Sequence, residues 1–255
     1  MASVDFVKDR HVATIRFNRP EKLNALTKDM TRQLLEAIRE ANDDDEVRVV
    51  VLTGAGQKAF SVGSDVTLLD EYGTNWHFRN RIEYNDVLRS LRKPVIAMVN
   101  GYAVGGGLEL ALCADLRFAG ESAKFGATEI KLGWIGGGGV TQLLTHLVGY
   151  GQAMRLILSG DIISAREARE IGLVEVLVPD DELEKTTYEY AHKIASYSPI
   201  ALQTAKHGCR MALSLPLDAG IMYERDMQTI CFYTEDKEEG IRAFKEKRPP
   251  NFKGR

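Results

Sequence analysis

Two glycine-containing turns and two glutamates are the features of this 255-residue chain with the types and spacing to do chemistry. In Asn100-Gly101-Tyr102-Ala103-Val104-Gly105-Gly106-Gly107-Leu108-Glu109, three consecutive glycines stand where a helix opens after an apolar run. Without side chains there, first-turn N–H groups can approach a ligand closely, and the helix dipole adds partial positive charge at the same point. That geometry suits an oxyanion. The second turn, Ala59-Phe60-Ser61-Val62-Gly63-Ser64-Asp65-Val66, follows another apolar run and could offer a second backbone donor. Two converging amides make an oxyanion hole, in which each donor contributes on the order of 3 kcal/mol to a transition state. Close helix–strand packing explains either turn equally well when it is taken alone. Glu109 and Glu129 can supply acid–base help if a partly apolar pocket lifts a carboxyl pKa toward neutrality. Taken singly, each reads as a solvated carboxylate.

The elements that must position these groups alternate over the first two thirds of the chain. Strands are expected over Val12 to Phe17, Val47 to Thr53, Pro94 to Asn100 and Leu116 to Ala119, and helices over Lys28 to Ala41, Trp76 to Leu91 and Leu108 to Cys113. From about Gly151 the pattern turns helical, with Pro199 and Pro216 at helix starts and a single strand over Val174 to Val178. The order predicts an α/β fold with a helical C-terminal layer. Asp43-Asp44-Asp45-Glu46 reads as a solvated turn, and no tandem repeat or low-complexity linker is present.

Several other chemistries are disfavoured. Gly54-Ala55-Gly56-Gln57-Lys58-Ala59 fits a permissive dinucleotide fingerprint, but irregular chain with a further glycine follows it where a helix is needed. There is no nucleophile-elbow motif and no full Walker pattern, and His11, His77, His146, His192 and His207 lack metal-ligand spacing, so no metal site is expected. A composition of 44% hydrophobic and 27% charged residues is that of a globular protein, and a net charge of −3 gives no general attraction to nucleic acid or an anionic membrane. Cys113, Cys209 and Cys231 are odd in number and widely spaced, as expected of reduced, structural thiols in a cytoplasmic protein. No run reaches the ~20 apolar residues of a membrane helix, and the N-terminus lacks a leader pattern.

In order along the chain, Arg19-Pro20-Glu21-Lys22-Leu23-Asn24-Ala25-Leu26, the turn at 59–65, Lys93-Pro94-Val95-Ile96-Ala97 with the turn at 100–109, Phe125-Gly126-Ala127-Thr128-Glu129-Ile130-Lys131-Leu132-Gly133 and Phe244-Lys245-Glu246-Lys247-Arg248-Pro249-Pro250-Asn251-Phe252 resemble the crotonase superfamily, most closely enoyl-CoA hydratase. The resemblance implies a crotonase-like ββα-superhelix core over 1–198 and a C-terminal helical region over 199–255 for trimerisation and closure over coenzyme A. It places the oxyanion-hole amides at Ser64 and Gly106. It makes Glu109 the group that orients and deprotonates water for attack at C3, and Glu129 the donor of a proton to C2. Coenzyme A would lie along Lys22, Leu23, Ala25, Ala59, Ser61, Asp65 and Val66, with Phe244 and Lys247 reaching it from a neighbouring subunit. The implied assembly is a homotrimer or a hexamer of paired trimers. Coenzyme A belongs to the acyl thioester substrate, and no separate cofactor is implied.

The chain also departs from that pattern. Thr128 replaces a common proline before the second glutamate, and Gly136 replaces another within Gly133-Trp134-Ile135-Gly136-Gly137-Gly138-Gly139, which loosens the segment carrying Glu129 unless packing locks it. Trp134 either borders the acyl pocket, limiting chain length or favouring a ring, or is an ordinary core residue. The pair of glutamates favours hydration of a 2-enoyl-CoA to a 3-hydroxyacyl-CoA. A Δ3,Δ2-enoyl-CoA isomerase using Glu129 alone, and a non-enzymatic acyl-CoA-binding or RNA-binding relative, are the alternatives.

Overall fold

The computed structural model describes residues 3–68 and 73–255; Met1 and Ala2, the start of the expected 1–198 unit, lie outside them. Two sheets organise the first two thirds. The larger runs in the order β1 (Val4–Asp9), β2 (Val12–Phe17), β3 (Val49–Gly54), β5 (Val95–Val99), β7 (Leu116–Gly120), β10 (Val176–Val178). Its first pair is an antiparallel hairpin and the rest is parallel. Val-Val-Val-Leu-Thr-Gly in β3 is buried at every position because strands flank it and helices cover both faces, so it lacks in/out alternation. One face takes α1 (Lys28–Asp43), where Met30, Leu34, Ala37, Ile38 and Ala41 make a helical stripe and Thr27 Oγ1 caps the first turn at Met30 N. The other face takes α8 (Leu183–Ala195), with Leu183, Ala191 and Ala195 against Val49, Val51, Ile96 and Phe118.

The second sheet is formed by β4 (Ala59–Ser61), β6 (Tyr102–Val104), β8 (Lys124–Gly126) and β9 (Ile163–Ser164). Two or three residues per strand leave no periodicity to read, so from sequence the stretches at 59–61 and 102–104 look like parts of turns. Three of the strands, β4, β6 and β8, are parallel neighbours. Each hands over within three residues to a candidate site group, Ser64, Gly106 and Glu129 respectively.

The continuous helix expected over Trp76 to Leu91 is corrected to α2 (Asn75–Arg79) and α3 (Tyr84–Arg89). Glu83 between them is extended (φ −93°, ψ 122°), and Arg81 stitches the break by pairing with Glu83 and donating to Phe78 O at 2.7 Å. The break lets α3 turn Tyr84, Asn85, Val87 and Leu88 inward, whereas α2 buries nothing. The helix α4 (Gly106–Cys113) starts two residues earlier than expected, within the glycine run. Helices α5 (Val140–Val148), α6 (Tyr150–Ser159) and α7 (Ala165–Glu170) follow, and the layer α9 (Pro199–Met211), α10 (Leu217–Phe232) and α11 (Glu235–Glu246) completes the chain. Pro199 opens α9 at its first position and Pro216 caps α10. This layer is tied to the rest by Lys206 Nζ, 2.8 Å from Asp115 Oδ2 and 2.7 Å from Lys93 O. Among the described residues no helix is long and apolar enough to cross a membrane, and no cluster could hold a metal ion.

Candidate active site

The turn after β4 is built to sit against the start of α4. Gly63 has φ +81°, and a Cβ on it would stand 2.5 Å from Gly106 N, so this close approach requires glycine. On its other side the turn is hydrogen-bonded to the 19–26 segment, with Leu26 N donating to Gly63 O at 2.8 Å and Asp65 N to Leu26 O at 2.9 Å. Neither the Ser64 amide nor the Gly106 amide has an acceptor among the described residues. Two backbone donors with their hydrogen-bonding capacity unspent thus flank the contact between Gly63 and Gly106, at a helix N-terminus.

Glu109 lies in the first turn of α4 and is 3% exposed. Its Oε1 accepts from Gly138 N at 2.8 Å and Val140 N at 3.2 Å, and its Oε2 accepts from Asn85 Nδ2 at 3.3 Å. Burial pushes its carboxyl up to about 7; the Gly138 and Val140 amides oppose that rise, while the charges of Glu129 and Glu83 add to it. Glu129 stands in the 3-10 turn Thr128–Leu132, half-buried, and its carboxyl is also raised by burial. The two carboxylates meet at Gly136: a Cβ there would be 2.6 Å from Glu109 Oε1 and 3.1 Å from Glu129 Oε1. Glu129 Oε1 also lies 3.7 Å from the Cβ position of Gly105, next to Gly106. The glycine run that replaces the expected proline is therefore tied down at its end, where the Gly138 and Val140 amides are spent on Glu109.

The other candidates divide into two groups. Lys22, Leu23, Ala25, Ala59, Ser61, Asp65 and Val66 belong to one wall beside the Ser64 turn. Within it Ala59 and Ser61 are buried, and Ser61 Oγ is spent on Asn24 O at 2.9 Å and on Gly63 N at 3.1 Å. Lys22, Leu23 and Val66 are exposed, and Asp65 Oδ2 pairs with Arg19 Nη1 at 2.8 Å. Trp134 has an exposed side chain and its amide donates to Glu129 O at 3.4 Å, so it is not a core residue of the chain. Phe244 and Lys247 are exposed on and just after α11, whose following tail returns to Arg48, at the end of β3 opposite Gly54. One chain does not gather them with the first group.

Some residues of the site have no role assigned to them by the sequence. Asn24 is fully buried in a left-handed conformation (φ 56°), accepts from Arg19 N at 3.0 Å and donates to Ala55 O at 3.0 Å and Ala59 O at 2.8 Å. Asn85 is also fully buried and bridges Glu109 and Glu83, the latter at 3.4 Å. Tyr84 places its hydroxyl 3.2 Å from Ser64 Oγ. A buried asparagine or tyrosine on an expected helix looks like any other polar residue until its partners are known.

Known proteins resemble this chain over its whole length. A sequence family described as enoyl-CoA hydratase/isomerase matches residues 8–255. The (E)-benzylidenesuccinyl-CoA hydratase of Thauera aromatica is 39% identical, covering 96% of each chain. The short-chain-enoyl-CoA hydratase of Clostridium acetobutylicum is 41% identical, covering 94% of each. The crystal structure of an enoyl-CoA hydratase from Bacillus anthracis superposes with a TM-score of 0.95 at 39% identity, covering all of both chains.

Proposed function

Because the chain belongs to the enoyl-CoA hydratase/isomerase family, has the crotonase fold and is a hydro-lyase of the hydratase type, we propose that it catalyses the reversible syn addition of water to a 2-enoyl-CoA, giving a 3-hydroxyacyl-CoA. The observation that carries this reading is the convergence of Glu109 and Glu129 on Gly136, beside the unspent amides of Ser64 and Gly106.

The thioester oxygen accepts from Ser64 N–H and Gly106 N–H, which stabilises the negative charge displaced onto it when oxygen adds at C3. Glu109 acts as the base. Its carboxylate is fixed by three N–H donors, so it can hold a water toward C3 and take its proton. Glu129, raised by burial and bearing fewer donors, delivers a proton to C2; dehydration reverses both roles. Coenzyme A is held along the Lys22–Val66 wall as part of the substrate, and no further cofactor takes part. Trp134 borders the acyl side next to Glu129, and its exposed indole suits a short or ring-bearing acyl group.

A homotrimer or paired trimers fits the C-terminal layer, where α10 buries none of its residues and leaves Leu217, Ile221, Met222, Ile230 and Phe232 exposed in the single chain. In such an assembly Phe244 and Lys247 would reach a neighbour's coenzyme A.

The test follows loss of conjugated thioester absorbance with crotonyl-CoA. Glu109→Gln and Glu129→Gln should each lower turnover by about 10²–10⁴-fold. Full hydration by the Glu109→Gln protein, or isomerisation of a 3-enoyl-CoA dependent on Glu129 alone, would overturn the assignment.

A further inference from the structure

Ser64 and Tyr84 place two hydroxyl groups beside the unspent amides, and the reading above uses neither. Tyr84 is 7% exposed, and its hydroxyl lies 3.2 Å from Ser64 Oγ, where either oxygen can donate to the other. Neither hydroxyl has another hydrogen-bond partner among the described residues. Two hydroxyls carry two protons and a single bond between them uses one. One O–H therefore lacks a protein acceptor, at a pair whose Tyr84 member is buried and whose Ser64 member is half-buried.

The location of that spare donor is specific. The Tyr84 oxygen stands 1.9 Å from the point where a Cβ on Gly106 would sit, so it packs directly on the residue whose amide is also unpaired. Ser64 N–H, Gly106 N–H and one hydroxyl proton are thus three donors in one place without a protein acceptor. Such a set fits an oxygen that carries or develops negative charge. Between the two hydroxyls the phenol is the more acidic and the better donor to an anion. When an anion is present, the pair is satisfied by Ser64 Oγ–H donating to the phenolic oxygen and Tyr84 O–H donating to the ligand.

We propose that the Tyr84 hydroxyl, held by Ser64, is a third hydrogen-bond donor to the thioester oxygen and a catalytic residue of this chain. The inference rests on the acyl-thioester part of the function proposed above. No proton is transferred at this step: burial, with Glu83, Glu109 and Glu129 nearby, outweighs the opposing Ser64 bond and keeps the phenol protonated. The arrangement also gives serine at position 64 a use beyond its backbone, since the side chain orients the tyrosine.

The experiment pairs turnover with a spectroscopic reading of carbonyl polarisation, using crotonyl-CoA as substrate and cinnamoyl-CoA as a chromophoric ligand whose absorbance moves to the red when its thioester oxygen accepts hydrogen bonds. Tyr84→Phe should lower kcat on the order of 10²-fold, with a smaller change in KM, and should diminish the red shift. Ser64→Ala, which leaves the phenolic proton available, should cost less than tenfold in kcat and keep most of the shift. Replacing Tyr84 by 3-fluorotyrosine retains the fold and sharpens the donor, so the red shift should grow. A Tyr84→Phe protein with wild-type turnover and shift, a shift indifferent to fluorination, or a Ser64→Ala protein as impaired as Tyr84→Phe would each overturn the proposal. If the wild type fails to hydrate crotonyl-CoA yet shows a Tyr84-dependent shift with cinnamoyl-CoA, the hydratase reading fails and this inference stands.

Discussion

Glu109 and Glu129 both border residue 136: a Cβ on Gly136 would lie 2.6 Å from Glu109 Oε1 and 3.1 Å from Glu129 Oε1. Val140 Cγ1 closes the same space at 2.6 Å. A side chain at residue 136 would therefore displace one or both carboxylates.

Gly136→Ala is expected to fold with a loss of about 1–3 kcal/mol, the usual cost of adding carbon to a filled site. The displaced carboxylate should lower hydration on the order of 10²-fold, because misplacing a reacting group by about 1 Å costs that much. Affinity for acetyl-CoA, which on the proposed reading engages the Ser64 and Gly106 amides and the Lys22–Val66 wall without the carboxylates, should hold within a few fold. Steady-state kinetics and calorimetric titration separate the two effects.

The pH dependence should report Glu109. Its carboxyl is pushed up to about 7 by burial, so the proposed base is mostly ionised only above that pH, and kcat/KM should fall as pH drops through about 7. Asn85 supports the ionised form through its bond to Oε2. Asn85→Ala should move the acid limb to higher pH, costing roughly tenfold near pH 7 and much less near pH 9. For stability the sign is opposite to that of an ion-paired carboxylate. With the folded pKa above the unfolded one, the folded state favours the protonated acid. The contribution of Glu109 is fully present below pH 4.5, and is lost as pH rises through 7. Denaturant unfolding across pH 5–9 should show Glu109→Gln gaining stability relative to wild type as pH increases, by up to roughly 3 kcal/mol. A flat difference would show that Glu109 does not titrate in this range.

Asn24→Ala should destabilise the protein by about 1–3 kcal/mol, since it strands the buried Ala59 carbonyl and removes the partner of the half-buried Arg19 amide and Ala55 carbonyl. Asn24→Gly, which keeps the left-handed backbone free of strain, should cost nearly as much if the side-chain bonds dominate. Urea midpoints of the two variants decide between bonding and backbone strain.

How much of this was legible in the sequence depends on the length scale of each feature. Long buried strands such as β3 and the amphipathic α1 state their structure within one window of residues, and the glycine run before Glu109 announces a helix start. The crotonase resemblance rested on ordered motifs, and the family match over residues 8–255 agrees with it. What could not be read was set by contacts across the chain. The second sheet has strands too short for a period, and the apolar residues of 76–91 suggested one helix because the extended Glu83 is chosen by its pairing with Arg81. Gly136 looked like a loosened proline site. Its close approach to both carboxylates, and the bonds from Gly138 and Val140 to Glu109, exist only once residues 109 and 136–140 are brought together.

The short sheet has a consequence for how this chain can diverge. Because β4, β6 and β8 are adjacent rungs of one ladder, the spacing between the Ser64 turn, the Gly106 helix start and the Glu129 turn is set by main-chain pairing about 4.8 Å per rung. Side-chain replacements in the surrounding loops can remodel what is recognised without resizing that ruler, so new acyl groups should be reachable by stepwise mutation while the reaction itself stays fixed.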